Sequence, residues 1–202
     1  ENRQRQAAAD SMLEDLTSYY TLWVHQIKTP IAAMDLLLQA GPDRATEMEI
    51  ELQKIAQYVD MVLQYLRLDS TAKDLVLQRC HLDAVVRQTV RKYAKLFILK
   101  KIQLVFQETK WEVLSDEKWL CFLLEQLLSN ALKYTPEGGK ISIFLEGETN
   151  LVIADTGIGI APEDLPRVFE KGFTGNNGRM DKKATGIGLY LCRRVTNLLG
   201  HT

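Results

Sequence analysis

Residues 125–135 read EQLLSNALKYT, and they end a long amphipathic segment. Apolar residues recur at three- and four-residue intervals from Trp119 to Ala131, which is the periodicity of a helix with a broad buried face. The pattern predicts a helix over 116–134, with Asn130 and Lys133 toward one edge of that face. An Asn in this position is either a polar residue at a helix end or part of a binding site.

Short strand patterns and further helix patterns lie on both sides of this segment. We predict strands at 75–78, 102–106 and 111–114, a helix over 81–99, and paired strands at 141–145 and 151–154. Helices layered on one side of a mixed sheet are the expected architecture for such a sequence. This part of the chain is therefore predicted to be an α/β sandwich.

Two glycine-containing motifs follow the predicted sheet. The first, DTGIGI at 155–160, comes directly after a strand, where the carboxylate can accept a hydrogen bond from adenine and the glycines admit a close ligand. The second, TGIGL at 185–189, opens a helix through Leu199, and free N–H groups at a helix start bind phosphate oxygens. Neither motif has the spacing of a dinucleotide fingerprint or a Walker loop. An ordinary glycine turn in a hairpin is the alternative for the first.

The segment between these motifs also suits a nucleotide site. Residues 166–173 read PRVFEKGF, and residues 174–185 are polar, contain two glycines and have no periodicity. Such a segment is typical of a mobile lid that becomes ordered when a ligand binds. An ordinary surface loop is the alternative, and it predicts no dependence on ATP.

Residues 1–69 carry the pattern of two more helices. Apolar residues follow the spacing of a heptad seam before and after a turn at 41–43. Two such helices form an antiparallel hairpin, and two hairpins bury both apolar stripes by pairing into a four-helix bundle. We therefore predict a homodimer through residues 1–69. A plain coiled-coil dimeriser without chemistry is the alternative.

His25 opens the motif HQIKTP at 25–30. When Tyr20 occupies the seam, His25 falls on the solvent face, and Thr29 shares that face because it lies four residues further on. Pro30 removes a backbone hydrogen bond, so we expect the helix to bend or loosen beside His25. An outward-facing His beside such a joint suits a phosphoryl acceptor better than a structural role.

Taken together, the motifs at 25–30, 125–135, 155–160 and 185–189 resemble the catalytic core of a bacterial sensor histidine kinase, with some similarity to the short-sensor Gram-positive type that responds to antibiotics. The resemblance covers nearly the whole chain and implies an α+β protein with a Bergerat-type ATP-binding domain. It also implies that His25 takes the γ-phosphoryl group of ATP and passes it to an Asp of a response-regulator receiver domain. Thr29 would position a water when the protein acts as a phosphatase on that partner.

The same resemblance implies the ligand-binding residues and the cofactors, which are ATP and Mg²⁺. Asn130 would hold the Mg²⁺ that bridges the phosphates, and Lys133 and Tyr134 would approach the phosphate chain. The other positions implied to bind ATP are Asp155, Gly157, Gly159, Ile160, Phe169, Phe173, Thr185, Gly186, Gly188 and Leu189.

Two positions depart from the pattern of related proteins. Gln26 stands where sensor kinases usually carry an acidic residue that accepts a proton from the imidazole. Because an amide cannot take up a proton, we expect Gln26→Glu to raise the autophosphorylation rate. Gln126 stands where the ATP-hydrolysing members of the fold carry a Glu that activates water, which favours transfer to a protein group.

These departures leave two other functions open. The amide at Gln26 is compatible with a catalytically weak protein that acts as an ATP-gated switch or as a phosphatase through Thr29. The shared fold is compatible with an ATPase like gyrase or Hsp90, although His25 and Gln126 count against it.

The composition narrows the classes of protein that fit. A net charge of −1 argues against a nucleic-acid-binding protein, which needs a basic patch to neutralise phosphates. Cys80, Cys121 and Cys192 are scattered without a metal-ligand pattern, which indicates reduced thiols. Because no stretch of about 18 apolar residues is present, any membrane attachment is expected to come from a segment outside this chain. The implied location is the cytoplasmic portion of a bacterial membrane protein.

The sequence suggests three regions. Residues 1–69 form the dimerisation and phosphotransfer hairpin, the polar residues 70–74 form a linker, and residues 75–202 form the ATP-binding domain. The first residues already have the character of a running helix, and domains of the resembled family continue with more strand after a Gly-His like the one at 200–201. We therefore expect a fragment, with its last domain truncated at the C-terminal end.

Overall fold

The structure is a computed structural model that describes residues 2–68, 75–175 and 186–201. These residues form two compact units, one up to Leu66 and the other from Arg67 onward. The predicted linker, Thr185 and most of the predicted lid lie outside the described residues. In the part of the chain that is described, no helix combines the length and apolar character needed to cross a membrane.

The first unit is a helical hairpin. Its helices are α1 (Asn2–Ala40) and α2 (Ala45–Leu68). The last two residues of α2, Arg67 and Leu68, belong to the second unit. Gly41 joins the helices at a φ of +111°, a conformation that favours glycine. Pro42 follows and starts a single 3₁₀ turn, where its fixed φ is compatible with a helix start.

A partly buried hydrogen bond joins the two helices of the hairpin, and the first helix is continuous. The Trp23 indole N–H donates to the Tyr58 carbonyl at 3.0 Å, across the two helices. Pro30 lies inside α1, and the helix runs through it without interruption. His25 and Thr29 therefore lie on one uninterrupted helix.

The second unit contains strands and helices in alternation. The described strands are β1 (Gln78–His81), β2 (Gln103–Phe106), β3 (Glu112–Ser115), β4 (Lys140–Glu146) and β5 (Asn150–Asp155). The described helices are α3 (Leu82–Lys92), α4 (Ala94–Leu99), α5 (Glu117–Tyr134) and α6 (Gly188–Leu199), with a short 3₁₀ turn at Leu165–Arg167.

The strands are arranged in two sheets. β1 pairs antiparallel with β3, while β4 lies between β2, to which it is parallel, and β5, to which it is antiparallel. Because β4 is the central strand, its residues Ile141 and Ile143 are fully buried. They join an apolar core that includes Val86 of α3 and Leu128 of α5. Burying each side chain of this size contributes about 2 kcal/mol.

α5 is anchored at its start as well as along its length. The Asp116 carboxylate accepts hydrogen bonds from the N–H groups of Lys118 and Trp119, so Asp116 is the N-cap of the helix. It also accepts from the Val76 N–H at 3.0 Å. The cap and the core together fix the direction of α5 and hence the position of its C-terminal end.

The predicted α+β class, with helices packed on a mixed sheet, is confirmed, but some boundaries were wrong. The strand expected at 75–78 begins at Gln78, since the chain before it bonds to the cap of α5 instead of to a strand. The helix expected over 81–99 breaks at Tyr93, whose ring is buried and whose hydroxyl donates to the Glu125 carbonyl. The last helix begins at Gly188 and not at 185.

Candidate functional site

The C-terminal end of α5 and the turn after β5 meet in space. The Ile158 N–H donates to the Tyr134 carbonyl at 3.3 Å. The Gly157 N–H donates to the Asp155 carboxylate at 2.8 Å, and Asp155 is exposed at the end of β5. The two motifs that contain Asn130 and Asp155 are therefore joined into one candidate site.

Gly157 is required by lack of space, and Gly159 by its backbone conformation. A Cβ at 157 would lie 2.5 Å from Asp155 Oδ1 and 2.7 Å from Tyr134 O, whereas Gly159 has open space but a φ of +69°.

We expect Gly157→Ala to push the turn away from α5 at a cost of about 3 kcal/mol. Gly159→Ala should cost about 1 kcal/mol. Thermal unfolding and titration with a fluorescent ATP analogue measure both effects, and equal losses would contradict this reading of the turn.

The glycine motif at 185–189 packs, through its described residues, on the segment 166–173, which carries Phe169 and Phe173, and on α5. The Gly172 N–H donates to the Gly186 carbonyl at 3.0 Å, and a Cβ on Gly186, whose φ is +64°, would lie 2.6 Å from the Phe173 nitrogen. Two residues later α6 begins at Gly188, where a Cβ would lie 3.0 Å from Gln126 Oε1. The start of α6 therefore lies against α5 at Gly188, while Gly186 packs on the Gly172–Phe173 backbone so closely that no Cβ fits.

The two phenylalanines implied to bind ATP each lie beside an arginine. The guanidinium carbon of Arg167 is 4.5 Å from the centre of the Phe173 ring, and that of Arg193 on α6 is 5.9 Å from the Phe169 ring. Each such contact contributes about 0.5–1 kcal/mol at an exposed site. Arg167 also forms a salt bridge with the Glu170 carboxylate at 3.0 Å, so its charge is balanced within the segment that carries these rings.

The last turns of α5 carry the residues implied to contact phosphates and metal. Asn130 is half-buried, as are Lys133 and Tyr134, and the Lys133 ammonium lies 5.0 Å from the centre of the Tyr134 ring. Among the described residues, no three His, Cys, Asp or Glu side chains are grouped so as to hold a metal. A single Asn nevertheless fits Mg²⁺, which often takes one or two protein oxygens and completes its shell with phosphates and water.

The first residues of the same motif are already engaged within the fold. Gln126 is 5% exposed and faces Gly188. The Glu125 carboxylate forms a salt bridge with Lys92 of α3 at 2.6 Å. An amide at 126 cannot activate water, and the carboxylate beside it is paired, which agrees with phosphoryl transfer better than with hydrolysis.

His25 and its neighbours differ in exposure. His25 and Thr29 are exposed on α1, and the Thr29 hydroxyl donates to the His25 carbonyl at 3.3 Å. Gln26, by contrast, is only 5% exposed. The residue that follows the implied phosphoryl acceptor therefore does not share its solvent-exposed face.

The burial of position 26 makes the effect of Gln26→Glu depend on pH. Burial raises the pKa of a carboxyl group, so a Glu there would accept a proton only above that raised value. We expect the autophosphorylation rate of Gln26→Glu, relative to the unchanged protein, to rise between about pH 6 and pH 9 and to reach about tenfold. Initial rates of label incorporation measure it. Gln39→Glu, at an exposed position of the same helix, is the control, and a ratio independent of pH would refute the expectation.

The cysteines do not provide an alternative nucleophile. Burial raises the pKa of Cys192 to about 12 and that of Cys121 to about 11. Burial also raises the pKa of Cys80. Since the thiolate is the reactive form, these side chains act as structural thiols at neutral pH.

The comparison with known families identifies the second unit. Residues 115–202 match the family described as "Histidine kinase-, DNA gyrase B-, and HSP90-like ATPase". The matched segment begins at the end of β3 and contains α5, β4, β5 and α6 with the three motifs assembled above. The second unit therefore contains an ATP-binding domain of the family that histidine kinases share with DNA gyrase B and HSP90.

Curated relatives extend the similarity into the helical hairpin. The chain is 37% identical over 194 residues to the sensor protein BceS of Halalkalibacterium halodurans, covering 94% of this chain and 58% of that protein. It is 36% identical over 186 residues to the sensor histidine kinase GraS of Staphylococcus haemolyticus, covering 89% and 54%. The chain therefore belongs to the sensor histidine kinases, and these relatives support the predicted Gram-positive antibiotic-response type. It spans less than two thirds of their length.

A solved structure gives the same result for the fold. The histidine kinase ThkA, solved in complex with the response regulator protein TrrA, aligns with a TM-score of 0.55 at 19% identity, covering 85% of this chain and 54% of that chain. At this identity the likeness concerns the fold alone.

Proposed function

We propose that this chain is the core of a sensor histidine kinase that phosphorylates itself on His25 from ATP and Mg²⁺ and passes the group to an Asp of a response regulator. The observation that carries the proposal is an exposed His25 on a helical hairpin, in one chain with an ATPase-family domain whose motifs converge on α5. The functional division into residues 1–69, a linker at 70–74 and residues 75–202 is part of the same proposal.

The proposed reaction transfers one phosphoryl group twice. An imidazole nitrogen of His25 attacks the γ-phosphorus of ATP, so that a P–N bond forms, the P–O bond to the β-phosphate breaks, and ADP leaves with the electron pair. The ring proton is released to water, because Gln26 cannot accept it. The carboxylate of the receiver Asp then attacks the same phosphorus, so that a P–O bond forms, the P–N bond breaks, and the imidazole leaves with the electron pair and takes a proton from water, which regenerates His25.

The protein's part in the first transfer is positioning and charge neutralisation. Bound Mg²⁺ would be held by Asn130 and would neutralise charge on the phosphates. Lys133 and the N-terminal amides of α6, beginning at Gly188, would hold the triphosphate oxygens. Asp155 would accept the adenine amino group, and Gly157 keeps that carboxylate in place through the 2.8 Å hydrogen bond.

A homodimer is supported by the apolar residues left exposed on the hairpin. Each helix carries an exposed row with a seven-residue spacing, formed by Val24, Ile31 and Leu38 on α1 and by Leu52, Val59 and Leu66 on α2. Heptad rows of this kind are the surfaces that pair in helical bundles. Pairing with a second copy would cover both rows.

The setting and the partner follow from the same proposal. The relatives are sensor proteins, and ATP is available in the cytoplasm, so this core is proposed to act there in a protein held at the membrane by another segment. The partner is proposed to be a receiver domain, as the ThkA complex with a response regulator suggests. The resulting protein would bind no nucleic acid, in line with its net charge of −1.

A second candidate is an ATP-gated switch whose main activity is dephosphorylation of the regulator through Thr29. The amide at Gln26 and its burial favour this candidate, because Gln26 supplies no base beside His25. Incubation with γ-labelled ATP and Mg²⁺ separates the two. The kinase is expected to gain acid-labile, alkali-stable label that moves to a receiver domain, whereas the switch binds ATP without gaining label and releases phosphate from a phosphorylated receiver.

A further inference from the structure

Lys100, which lies in the short connection between α4 and β2, makes contacts at the end of α5. Its ammonium group donates to the carbonyl oxygen of Leu132 and, at 2.7 Å, to that of Thr135. Its own backbone carbonyl accepts from the Gly138 N–H at 2.9 Å. Lys100 thus holds the turn after α5 through both its side chain and its backbone.

These bonds form part of the C-terminal cap of α5. The last carbonyls of a helix have no partner within it and need one from elsewhere. The Ala131 carbonyl accepts from the Thr135 N–H, and the Tyr134 carbonyl accepts from Ile158 in the turn after β5. The Leu132 carbonyl is bonded by Lys100. A cation at this end of a helix also interacts favourably with the helix dipole.

The cap and the candidate ATP site share the same helical turn. Asn130, Lys133 and Tyr134 lie in the same stretch of α5 as the Leu132 carbonyl, which Lys100 bonds, and the Tyr134 carbonyl, which Ile158 bonds. A shift of this turn would move the Asn130 amide and would also move the Tyr134 carbonyl, against which Gly157 packs so closely that no Cβ fits. The positions of Asn130, on the phosphate side of the site, and of Asp155, on the adenine side, therefore both depend on the bonded carbonyls at the end of α5.

We propose that Lys100 is a positioning residue for the nucleotide site. Its ammonium group bonds the Leu132 and Thr135 carbonyls and thereby fixes the position of the last turn of α5. Through the Tyr134–Ile158 hydrogen bond, that turn in its place fixes the position of the turn after Asp155. Lys100 itself contacts no nucleotide in this proposal, which rests on the proposed ATP binding. The effect on affinity is transmitted by the backbone.

The neighbouring residue provides a matched control. Lys101 carries the same charge, but its ammonium pairs with the exposed Glu137 carboxylate at 2.7 Å and bonds no helix carbonyl among the described residues. We therefore compare Lys100→Met with Lys101→Met, which remove the same charge one residue apart. Lys100→Arg restores a cation that can donate to two carbonyls.

The test measures the affinity of the full chain for a fluorescent ATP analogue with Mg²⁺, well below each variant's unfolding temperature. Lys100→Met is expected to bind about tenfold more weakly, Lys100→Arg within about twofold of the unchanged protein, and Lys101→Met with unchanged affinity. Unchanged affinity in folded Lys100→Met, or an equal loss in Lys101→Met, would overturn the proposal. If Lys100→Met does not fold, Lys100→Gln, which keeps a donor, is measured against the same controls.

Hydrogen exchange separates this proposal from the proposed function. The Ile158 and Thr135 amides are expected to exchange faster in Lys100→Met than in Lys101→Met, without any nucleotide present. If Lys100→Met exchanges faster and the unchanged protein binds no ATP, the proposed function is refuted but the link between Lys100 and the turn after β5 is supported. Equal exchange in the two variants would refute the link, whatever the protein binds.

Discussion

Replacing His25 with alanine is expected to abolish incorporation of acid-labile label from γ-labelled ATP while leaving nucleotide affinity unchanged. His25 is exposed on α1, so removing its ring leaves neither a buried cavity nor an unpaired buried group. The loss would therefore come from the missing nucleophile and not from unfolding. The measurement is retained label after alkali treatment, alongside a titration with a fluorescent ATP analogue and a thermal unfolding curve.

His81 is the matched control for this substitution. Its ring is also exposed, in β1 of the second unit, where it lies 3.3 Å from the Glu112 carboxylate. His81→Ala is expected to retain full labelling, because a pair this exposed contributes little to stability. Alkali-stable label that persists in His25→Ala would show that another residue accepts the phosphoryl group and would reject the proposed acceptor.

The secondary structure that could be predicted from the sequence is that formed by residues close together in the chain. The amphipathic pattern of α5 and the strand pair β4–β5 require only local periodicity and a glycine turn, and both are found within a residue or two of the expected bounds. His25 is exposed as the sequence predicted, but Tyr20, whose assumed place on the seam supported that prediction, is itself exposed in the structure.

What escaped prediction depends on contacts between distant residues. The break at Tyr93 comes with a hydrogen bond to a carbonyl 32 residues away, and the cap by Lys100 spans 32 and 35 residues. Nothing in the local pattern distinguishes Lys100 from Lys101, which differ only in what the folded chain brings near them. The burial of Gln26 was not predicted, because it depends on how α1 packs in the folded chain and not on the motif alone.

The candidate site shows the same division. The residue types in the three motifs of the ATP domain indicated a nucleotide, but the structure adds how they are assembled. The close approach of Gly186 to Phe173, and of Gly188 to Gln126, joins segments that are far apart in sequence. The contacts of Arg167 with Phe173 and of Arg193 with Phe169 were not predicted, since residue types carry no sign of which side chains the fold brings together and Arg193 lies in a different segment from Phe169.

The second large effect is expected from Asn130→Ala, which should remove the Mg²⁺ dependence of ATP binding and with it the labelling of His25. Asn130 is the one residue to which a metal-binding role is assigned, and the described residues contain no cluster of His, Cys, Asp or Glu that could replace it. Loss of a metal held between protein and phosphates removes several kcal/mol of charge stabilisation, so labelling should fall by about a hundredfold or more. Binding of the nucleotide without metal should remain.

The measurement is a titration with a fluorescent ATP analogue at saturating Mg²⁺ and again with a chelator, together with the rate of labelling. In the unchanged protein Mg²⁺ is expected to strengthen binding, and in Asn130→Ala the two curves should coincide. Asn150→Ala is the control, because that residue is exposed at the start of β5 on the hairpin turn and should leave the Mg²⁺ effect intact. An unchanged Mg²⁺ effect in Asn130→Ala would mean that the metal is held elsewhere.

Asn130 lies on the turn that Lys100 caps. A loss of Mg²⁺-dependent nucleotide affinity in Asn130→Ala, alongside a weaker loss of affinity in Lys100→Met, would place the metal ligand and its support on the same turn of α5.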